Sequence, residues 1–341
     1  MSARDTCIKV LIVGSPLIRE WLVRLLAAQA GVEVAGEAPN GDEGARLAFL
    51  LRPDLIIMAI EMPARKGLEA IEAIMQRNPT PILVLTSYSN AGLAYEAISR
   101  GALEVVVKPK PDLAQCRQFV RKIKLLAGVS VIRHIKGSKP AWKNVASGKE
   151  ATGVWTKVVA IASSLGGANV LETIFSRLPA GFPAPIVVAQ HISAGFAEAL
   201  ADWLNHKTPL TVKVASGADV LTPGSVFIAP PEYNIEVDAT GKLTLAPCPA
   251  GHIYHPSCDR LLTSVACAYR ERAVGIILTG MGQDGVAGRA AIKAAGGVTI
   301  AQNEQTSLIY NMPRLVIERG LADFVVAAAD ISTTLTSVVS G

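Results

Sequence analysis

VVAIASSLGGANVLETIF, residues 158–175, joins a short apolar run to a small-residue turn and a second apolar-rich run. The segment from Val158 to Ile161 predicts a buried strand, and the residues after Gly167 predict a helix. Gly166 and Gly167 permit the sharp turn between the two, because glycine adopts backbone angles that other residues avoid. Ser164 is therefore expected at a strand-to-helix turn, beside free N–H groups that favour negative charge.

Two other strings repeat this arrangement. PIVVAQHISAGF, residues 185–196, predicts a buried strand that ends at His191, and AVGIILTGMGQDG, residues 273–285, predicts a strand followed by a loop that carries Asp284. The carboxyl ends of parallel strands line the crevice in which open α/β sheets bind ligands, so we expect Ser164, His191 and Asp284 to meet there. These residue types supply a nucleophile, its base and the group that orients the base. The sequence thus predicts a hydrolytic site.

Each of these residues also has a structural interpretation. Ser164 could instead be a helix N-cap, and His191 could be a neutral histidine in the core. Asp284 could be a cap on the helix that follows it. Ser163 competes with Ser164 for the role of nucleophile. Asp259, in the string HPSCD, is a second acidic candidate, which we interpret as a substrate-site or capping residue.

Residues 157–341 resemble the catalytic domain of the chemotaxis protein-glutamate methylesterase family (CheB), and the whole chain follows that family's order of receiver, linker and esterase. The strings that carry the resemblance are AIASSLGG, AQHISAGF, HPSCD, GIILTGMGQDGVAG and AQNEQTSLIYNMPR. The resemblance implies that Ser164 is the nucleophile, His191 the general base and Asp284 its orienting carboxylate. It also implies that the backbone N–H of Met281 donates to the oxyanion.

The family resemblance further implies an activity. Such enzymes remove the methyl ester from glutamyl side chains in the cytoplasmic helices of chemoreceptors, releasing methanol, and many also deamidate receptor glutamines. Substrate contacts are expected at Leu165, Gly166, Gly282 and Asp259. Leu165 stands where the family usually has a hydroxyl residue, and His255 replaces an arginine-rich lead into the Pro-Ser-x-Asp string. We therefore expect reduced or altered activity rather than none.

Residues 8–125 alternate strand and helix patterns five times, which predicts a parallel sheet covered by helices on both faces. This order resembles a flavodoxin-like response-regulator receiver. The fold class expected for the chain is α/β, with two doubly wound parallel-sheet domains. The predicted organisation is a receiver-like domain at residues 1–126, a basic linker at 127–156 and a methylesterase domain at 157–341.

The receiver pattern lacks the residues of phosphorylation chemistry. A receiver carries a phosphate-accepting aspartate after its third strand and an acidic pair that holds Mg²⁺ after its first strand. Here Ala59 occupies the acceptor position, and Gly14 and Ser15 replace the acidic pair. An alanine methyl cannot accept a phosphoryl group, so we predict a pseudo-receiver. If it regulates, we expect it to act by docking a partner, such as a histidine kinase or another signalling protein, or by fixed packing over the esterase cleft.

The distribution of charge and the cysteine content argue against a nucleic-acid-binding fold and against a structural zinc site. The net charge is +5, but residues 117–149 contain nine Lys or Arg and no acidic residue, so the rest of the chain is slightly acidic. The basic excess is a property of the linker, which is either a solvated connector or a segment attracted to acidic partners. It does not indicate a nucleic-acid-binding fold. The five cysteines are odd in number and lack paired metal-ligand spacing, which favours the reducing cytoplasm and no structural zinc.

The same patterns predict no cofactor, no resident metal and no membrane insertion, because the apolar runs are far shorter than the roughly 20 residues of a membrane span. A serine hydrolase, a protein-glutamate methylesterase, is the function we expect. The alternatives are a receptor glutamine deamidase and a catalytically weak adaptor that binds proteins in a signalling complex.

Overall fold

The computed structural model describes residues 7–60, 64–87, 91–109, 112–129, 157–249 and 254–341. The chain divides into two compact units, Met1–Pro140 and Ala141–Gly341. The linker expected at residues 127–156 lies almost wholly outside the described residues. Its boundaries therefore stay predictions.

The N-terminal unit contains a five-stranded parallel sheet in the order β2-β1-β3-β4-β5, the strand order of flavodoxin-like domains. Both faces are covered by helices, and every residue of β3 and β4 is buried. The strands are β1 Ile8–Val13, β2 Val32–Ala38, β3 Leu55–Ala59, β4 Ile82–Thr86 and β5 Glu104–Val107; the helices are α1 Pro16–Ala27, α2 Gly41–Leu51, α3 Ala64–Arg77, α4 Ala91–Ser99 and α5 Leu113–Leu126.

The C-terminal unit contains a seven-stranded parallel sheet and a two-stranded antiparallel hairpin. Its strands are β6 Val158–Ser163, β7 Ile186–Gln190, β8 Thr211–Val214, β9 Ser225–Ile228, β10 Tyr233–Val237, β11 Leu243–Pro247, β12 Ala273–Ile277, β13 Val298–Gln302 and β14 Phe324–Val326. Its helices are α6 Gly167–Phe175, α7 Ala197–Lys207, α8 Cys258–Tyr269, α9 Val286–Ala294, α10 Met312–Glu318 and α11 Ile331–Ser340.

The order of the large sheet, β14-β13-β12-β6-β7-β9-β8, places the site-bearing strands next to each other. From β6 the chain proceeds to β7 on one side and later returns to β12 on the other, so the order reverses at β6. Ligands of open α/β sheets bind at such a reversal, outside the carboxyl ends of the strands. The predicted fold class, two parallel-sheet α/β domains, is confirmed. No helix among the described residues has both the length and the apolar character needed to cross a bilayer.

Two glycines in the N-terminal unit give a matched test of packing between α2 and α3. A Cβ added to Gly41 would collide with the backbone carbonyl of Lys66 and lie 2.9 Å from the Cβ of Ala70, whereas a Cβ on Gly67 would meet nothing within 4 Å. We expect Gly41→Ala to destabilise this unit by about 1–3 kcal/mol through overpacking. Gly67→Ala should stabilise it by about 0.5–1 kcal/mol, because alanine favours the helix. Urea unfolding of both variants measures the difference; equal effects would contradict the packing.

Candidate active site

Ser164 lies at the turn between β6 and α6. Its N–H donates to the carbonyl of Thr279 over 3.1 Å, and its carbonyl accepts from the N–H of Gly167 over 2.9 Å. The residue that precedes the helix is Gly166, with a φ of +79°, so Ser164 is not its N-cap. A Cβ on Gly166 would lie 2.7 Å from the side chain of Leu308. The turn thus requires glycine on both conformational and steric grounds.

The turns that carry Ser164 and His191 are bonded to each other. Ser163 and Gln190 pair at the ends of β6 and β7, and the N–H of His191 donates to the carbonyl of Ser163 over 2.9 Å. The buried side chain of Gln190 donates through Nε2 to the carbonyls of Ser164, at 2.7 Å, and His191, at 3.0 Å. These hydrogen bonds hold the turn that carries Ser164 next to the turn that carries His191.

His191 and Asp284, which are 93 residues apart in sequence, are hydrogen-bonded. The Nε2 of His191 lies 2.9 Å from Oδ2 of Asp284, and the side chains are 12% and 4% exposed. The neutral imidazole carries one N–H and one accepting nitrogen. Because the carboxylate takes the N–H at Nε2, Nδ1 is the nitrogen that can accept a proton.

The carboxylate of Asp284 accepts further hydrogen bonds from the start of α8. Its oxygens accept from the backbone N–H groups of Cys258, at 2.7 Å, and Asp259, at 2.9 Å, and from the hydroxyl of Ser257, at 3.2 Å. Burial raises the pKa of Asp284, but the hydrogen bonds from His191 and these N–H groups outweigh burial and hold that pKa below its ordinary value. Asp284 is therefore ionised at neutral pH.

Asp259 and Asp284 each cap the other's helix. Asp284 stands just before α9 and accepts from the N-terminus of α8, while Asp259 lies in the first turn of α8 and accepts from the N-terminus of α9. Its Oδ1 takes the N–H groups of Gly285, at 2.9 Å, and Gly288, at 2.7 Å. Burial raises the pKa of Asp259. Of the two interpretations of Asp259, these contacts support the capping residue.

The loop after β12 approaches the serine closely. A Cβ on Gly280 would lie 2.6 Å from the Cβ of Ser164, so only glycine permits this approach. The N–H of Gly282 donates to Oδ1 of Asn311 over 2.8 Å and is thus already committed. By contrast, the N–H of Met281 has no acceptor within the described residues. Among these loop residues, Met281 and not Gly282 has a donor available to a substrate.

Leu165, the departure from the family pattern, faces inward. Its side chain belongs to the core at 6% exposure, and its carbonyl accepts from the hydroxyl of Thr279 over 3.0 Å. The side chain of Leu165 is therefore packed in the core and is not exposed to a substrate. The same Thr279 hydroxyl accepts from the N–H of Ile309, which joins the serine turn to the chain before α10.

Two further side chains contact His191, and no sequence pattern predicts these contacts. The ring of Tyr254 stacks on the imidazole with centroids 5.2 Å apart and planes 18° apart, and Sγ of Cys258 lies 3.3 Å from Nε2. HPSCD contains Cys258, but no spacing in that string points to His191. The contacts arise from the packing of α8 against β7, which is visible only in the folded chain.

Comparisons with known proteins agree with this geometry. The family model described as CheB methylesterase matches residues 159–335, and that of the response regulator receiver domain matches residues 10–120. Two relatives are named protein-glutamate methylesterase/protein-glutamine glutaminase. One, from Anaeromyxobacter dehalogenans, is 40% identical over 98% of each chain. The other, from Paramagnetospirillum magneticum, is 39% identical over 99% of this chain and 98% of its own. The crystal structure of the CheB methylesterase catalytic domain of Thermotoga maritima is 39% identical, with a TM-score of 0.52, and covers 54% of this chain and all of that one.

The lowered pKa of Asp284 predicts a pH-dependent contribution to stability. A carboxyl group whose pKa is lower when folded stabilises the protein fully above its unfolded pKa, about 3.9, and this contribution is lost as pH falls through the folded pKa. Asp284→Asn should therefore cost stability at pH 7, and the difference from the parent should shrink below about pH 4. Urea unfolding from pH 7 to pH 3 measures this difference. A difference that stays constant or grows in acid would contradict the assignment.

Proposed function

Because the chain belongs to the CheB methylesterase family, it is a carboxylic ester hydrolase, and we propose that Ser164, His191 and Asp284 cleave the methyl esters of glutamyl side chains. The observation that carries this proposal is the 2.9 Å hydrogen bond between His191 and Asp284 at the sheet edge where Ser164 stands. The supporting contacts are the bonds from Gln190, which tie the histidine turn to the serine turn.

The proposed reaction is acyl transfer through the serine. Nδ1 of His191 takes the hydroxyl proton of Ser164, and the serine oxygen attacks the ester carbonyl. The ionised carboxylate of Asp284 stabilises the imidazolium that forms. His191 then gives the proton to the leaving methoxide, methanol departs, and water hydrolyses the acyl-enzyme to glutamate by the reverse use of the same base.

The developing oxyanion is assigned to backbone donors. The N–H of Met281 is free of acceptors within the described residues, and its loop is in close approach to Ser164 at Gly280. A preorganised donor of this kind contributes on the order of 10²–10³ to kcat. Gly282, whose N–H is bonded to Asn311, has a conformational role in this account.

Amide hydrolysis is a second candidate activity, supported by the word glutaminase in the names of the relatives. An acyl-enzyme formed from a glutamine is the same species as one formed from the methyl ester, and only the leaving group differs. Ammonia release from receptor fragments tests this activity separately from methanol release. Family membership and the joined His–Asp pair favour an enzyme over an adaptor without activity.

The proposed substrate is the methylated cytoplasmic helices of a chemoreceptor, and the proposed place of action is the cytoplasm. The cysteines of the described residues form no disulfide bonds with one another, which suits a reducing compartment. The exposed side chain of Met281 flanks the loop at the serine and offers apolar contact to a helix lying across it.

The N-terminal unit is proposed to be a receiver that takes no phosphoryl group. A Cβ on Gly14 would lie 3.1 Å from the methyl of Ala59, so two small residues without carboxylates are packed together at one position of the acidic pair and at the acceptor position. The guanidinium of Arg19 donates to the carbonyl of Gly14 over 2.9 Å and to the carboxylate of Glu37 over 3.1 Å, so the side chain beside Gly14 is a cation and not an acidic ligand for Mg²⁺. The amine of Lys108, the residue that follows β5, lies 5.2 Å from the centroid of the Trp21 ring. Regulation would then arise from a bound partner.

Removing the serine hydroxyl tests the proposed nucleophile. Ser164→Ala should lower kcat for methanol release from methylated receptor by on the order of 10⁴-fold or more, because no acyl-enzyme can form. The matched control is Ser163→Ala, whose buried hydroxyl has no partner within the described residues. Gas chromatography of released methanol measures both variants. If Ser164→Ala keeps its rate and Ser163→Ala loses it, the assignment is wrong.

Acetyl phosphate tests the pseudo-receiver. Incubation of the full chain with radiolabelled acetyl phosphate and Mg²⁺ should leave no label, because neither an acceptor carboxylate nor an acidic metal pair is present. A receiver with an intact aspartate serves as the positive control for the reagent. Stoichiometric labelling that hydroxylamine removes would show an acyl phosphate and refute the proposal.

A further inference from the structure

Three side chains of the kinds that bind metal ions surround one point beside the imidazole. His191, Cys258 and Asp284 each present one ligand atom, and these atoms lie within 4.8 Å of one another. Nε2 of His191 is 3.3 Å from Sγ of Cys258 and 2.9 Å from Oδ2 of Asp284. The three residues come from the turn after β7, the first position of α8 and the loop before α9. No sequence spacing could therefore reveal the group.

The chemistry of this group fits a borderline-soft divalent cation. Zn²⁺ binds thiolate, imidazole and carboxylate with bonds of about 2.0–2.3 Å, which puts neighbouring tetrahedral ligands about 3.3–3.6 Å apart. The S···N separation is already in this range, and the N···O separation needs to widen by about half an ångström. The S···O separation, which is at most 4.8 Å, has to close to the same range as the metal binds. A thiolate and a carboxylate together also supply two negative charges, which balance a dication in a buried place.

We propose that His191, Cys258 and Asp284 form an inhibitory site for Zn²⁺, with a water molecule as the fourth ligand. This inference rests on the proposed role of His191 as general base. It does not make zinc a cofactor, because the same atoms serve the reaction when no metal is bound.

The proposed inhibition follows from the position of one proton. Zn²⁺ binds the lone pair of Nε2, so the single proton of the neutral ring moves from Nε2 to Nδ1, and the thiol of Cys258 releases its proton to solvent as the Zn–S bond forms. Nδ1 can then no longer accept the proton of Ser164. Substrate binding does not use these atoms, so the metal should lower kcat and leave KM nearly unchanged.

Inhibition of the full-length enzyme tests this site. Methanol release is measured against rising ZnCl₂, and the inhibition constant is taken for the parent, for Cys258→Val and for Cys258→Ser. Loss of a direct ligand should raise that constant by about tenfold or more, since loss of even an outer-sphere partner costs 10–100-fold. Cys267→Val is the matched control, because Cys267 is an exposed cysteine of the same helix, and its inhibition constant should match that of the parent. Because inhibition constants are ratios within each variant, a change in basal rate does not affect the comparison.

Cobalt gives a readout that does not depend on turnover. Co²⁺ bound to a thiolate shows a charge-transfer absorption in the near ultraviolet, and Ser164→Ala should show this band with one Co²⁺ per chain. The band should disappear when Cys258→Ser is added and persist when Cys267→Val is added. If Ser164→Ala retained turnover, the proposed function would fail while the cobalt result stood.

The proposal is overturned by any of three results: an enzyme that Zn²⁺ does not inhibit, inhibition that is equal in the parent and both Cys258 variants, or a cobalt thiolate band that follows Cys267. Inhibition that acts on KM alone would also overturn it, because the metal would then block the substrate and not the base.

Discussion

The buried carboxylate of Asp284 is the group on which both the structure and the chemistry of the catalytic unit depend. It accepts from the imidazole of His191, from two N–H groups at the start of α8 and from the hydroxyl of Ser257. A buried carboxylate is stable only when its oxygens are satisfied in this way. The bonds that keep Asp284 ionised are thus the same bonds that hold α8 beside β7, and the histidine is oriented by a group that folding has already fixed.

The N-termini of α8 and α9 are capped reciprocally by Asp284 and Asp259. Asp259, in the first turn of α8, accepts hydrogen bonds from the N-terminus of α9, and Asp284, just before α9, accepts hydrogen bonds from the N-terminus of α8. The N-terminus of each helix is therefore capped by a residue at the start of the other. Helix termini leave N–H groups unsatisfied, and a carboxylate there gains from hydrogen bonds and from the helix dipole. Replacing Asp259 would leave the N–H groups of Gly285 and Gly288 without this acceptor, whereas replacing Asp284 would remove an acceptor from both the start of α8 and the imidazole of His191.

The sequence predicted the place of Ser164, His191 and Asp284, because each follows an apolar strand and parallel strands bring their carboxyl ends to one edge. It did not predict which helix each aspartate caps. An aspartate near the start of one helix can accept hydrogen bonds from the N-terminus of that helix or of a neighbouring one, and the sequence does not distinguish the two cases. Nor did it predict that Tyr254 and Cys258 contact His191, because those contacts come from elements distant in the chain. In the N-terminal unit, apolar strands retain the receiver fold although Gly14 and Ala59 carry no carboxylate.

Active-site labelling with a fluorophosphonate, followed by mass spectrometry of peptides, tests most directly whether His191 and Asp284 activate Ser164. The reagent bonds only to a serine oxygen that a base has activated. We expect one adduct per chain on Ser164, with labelling lost in His191→Gln and greatly slowed in Asp284→Asn. An adduct on Ser163, or labelling of Ser164 at the same rate without the imidazole, would contradict it.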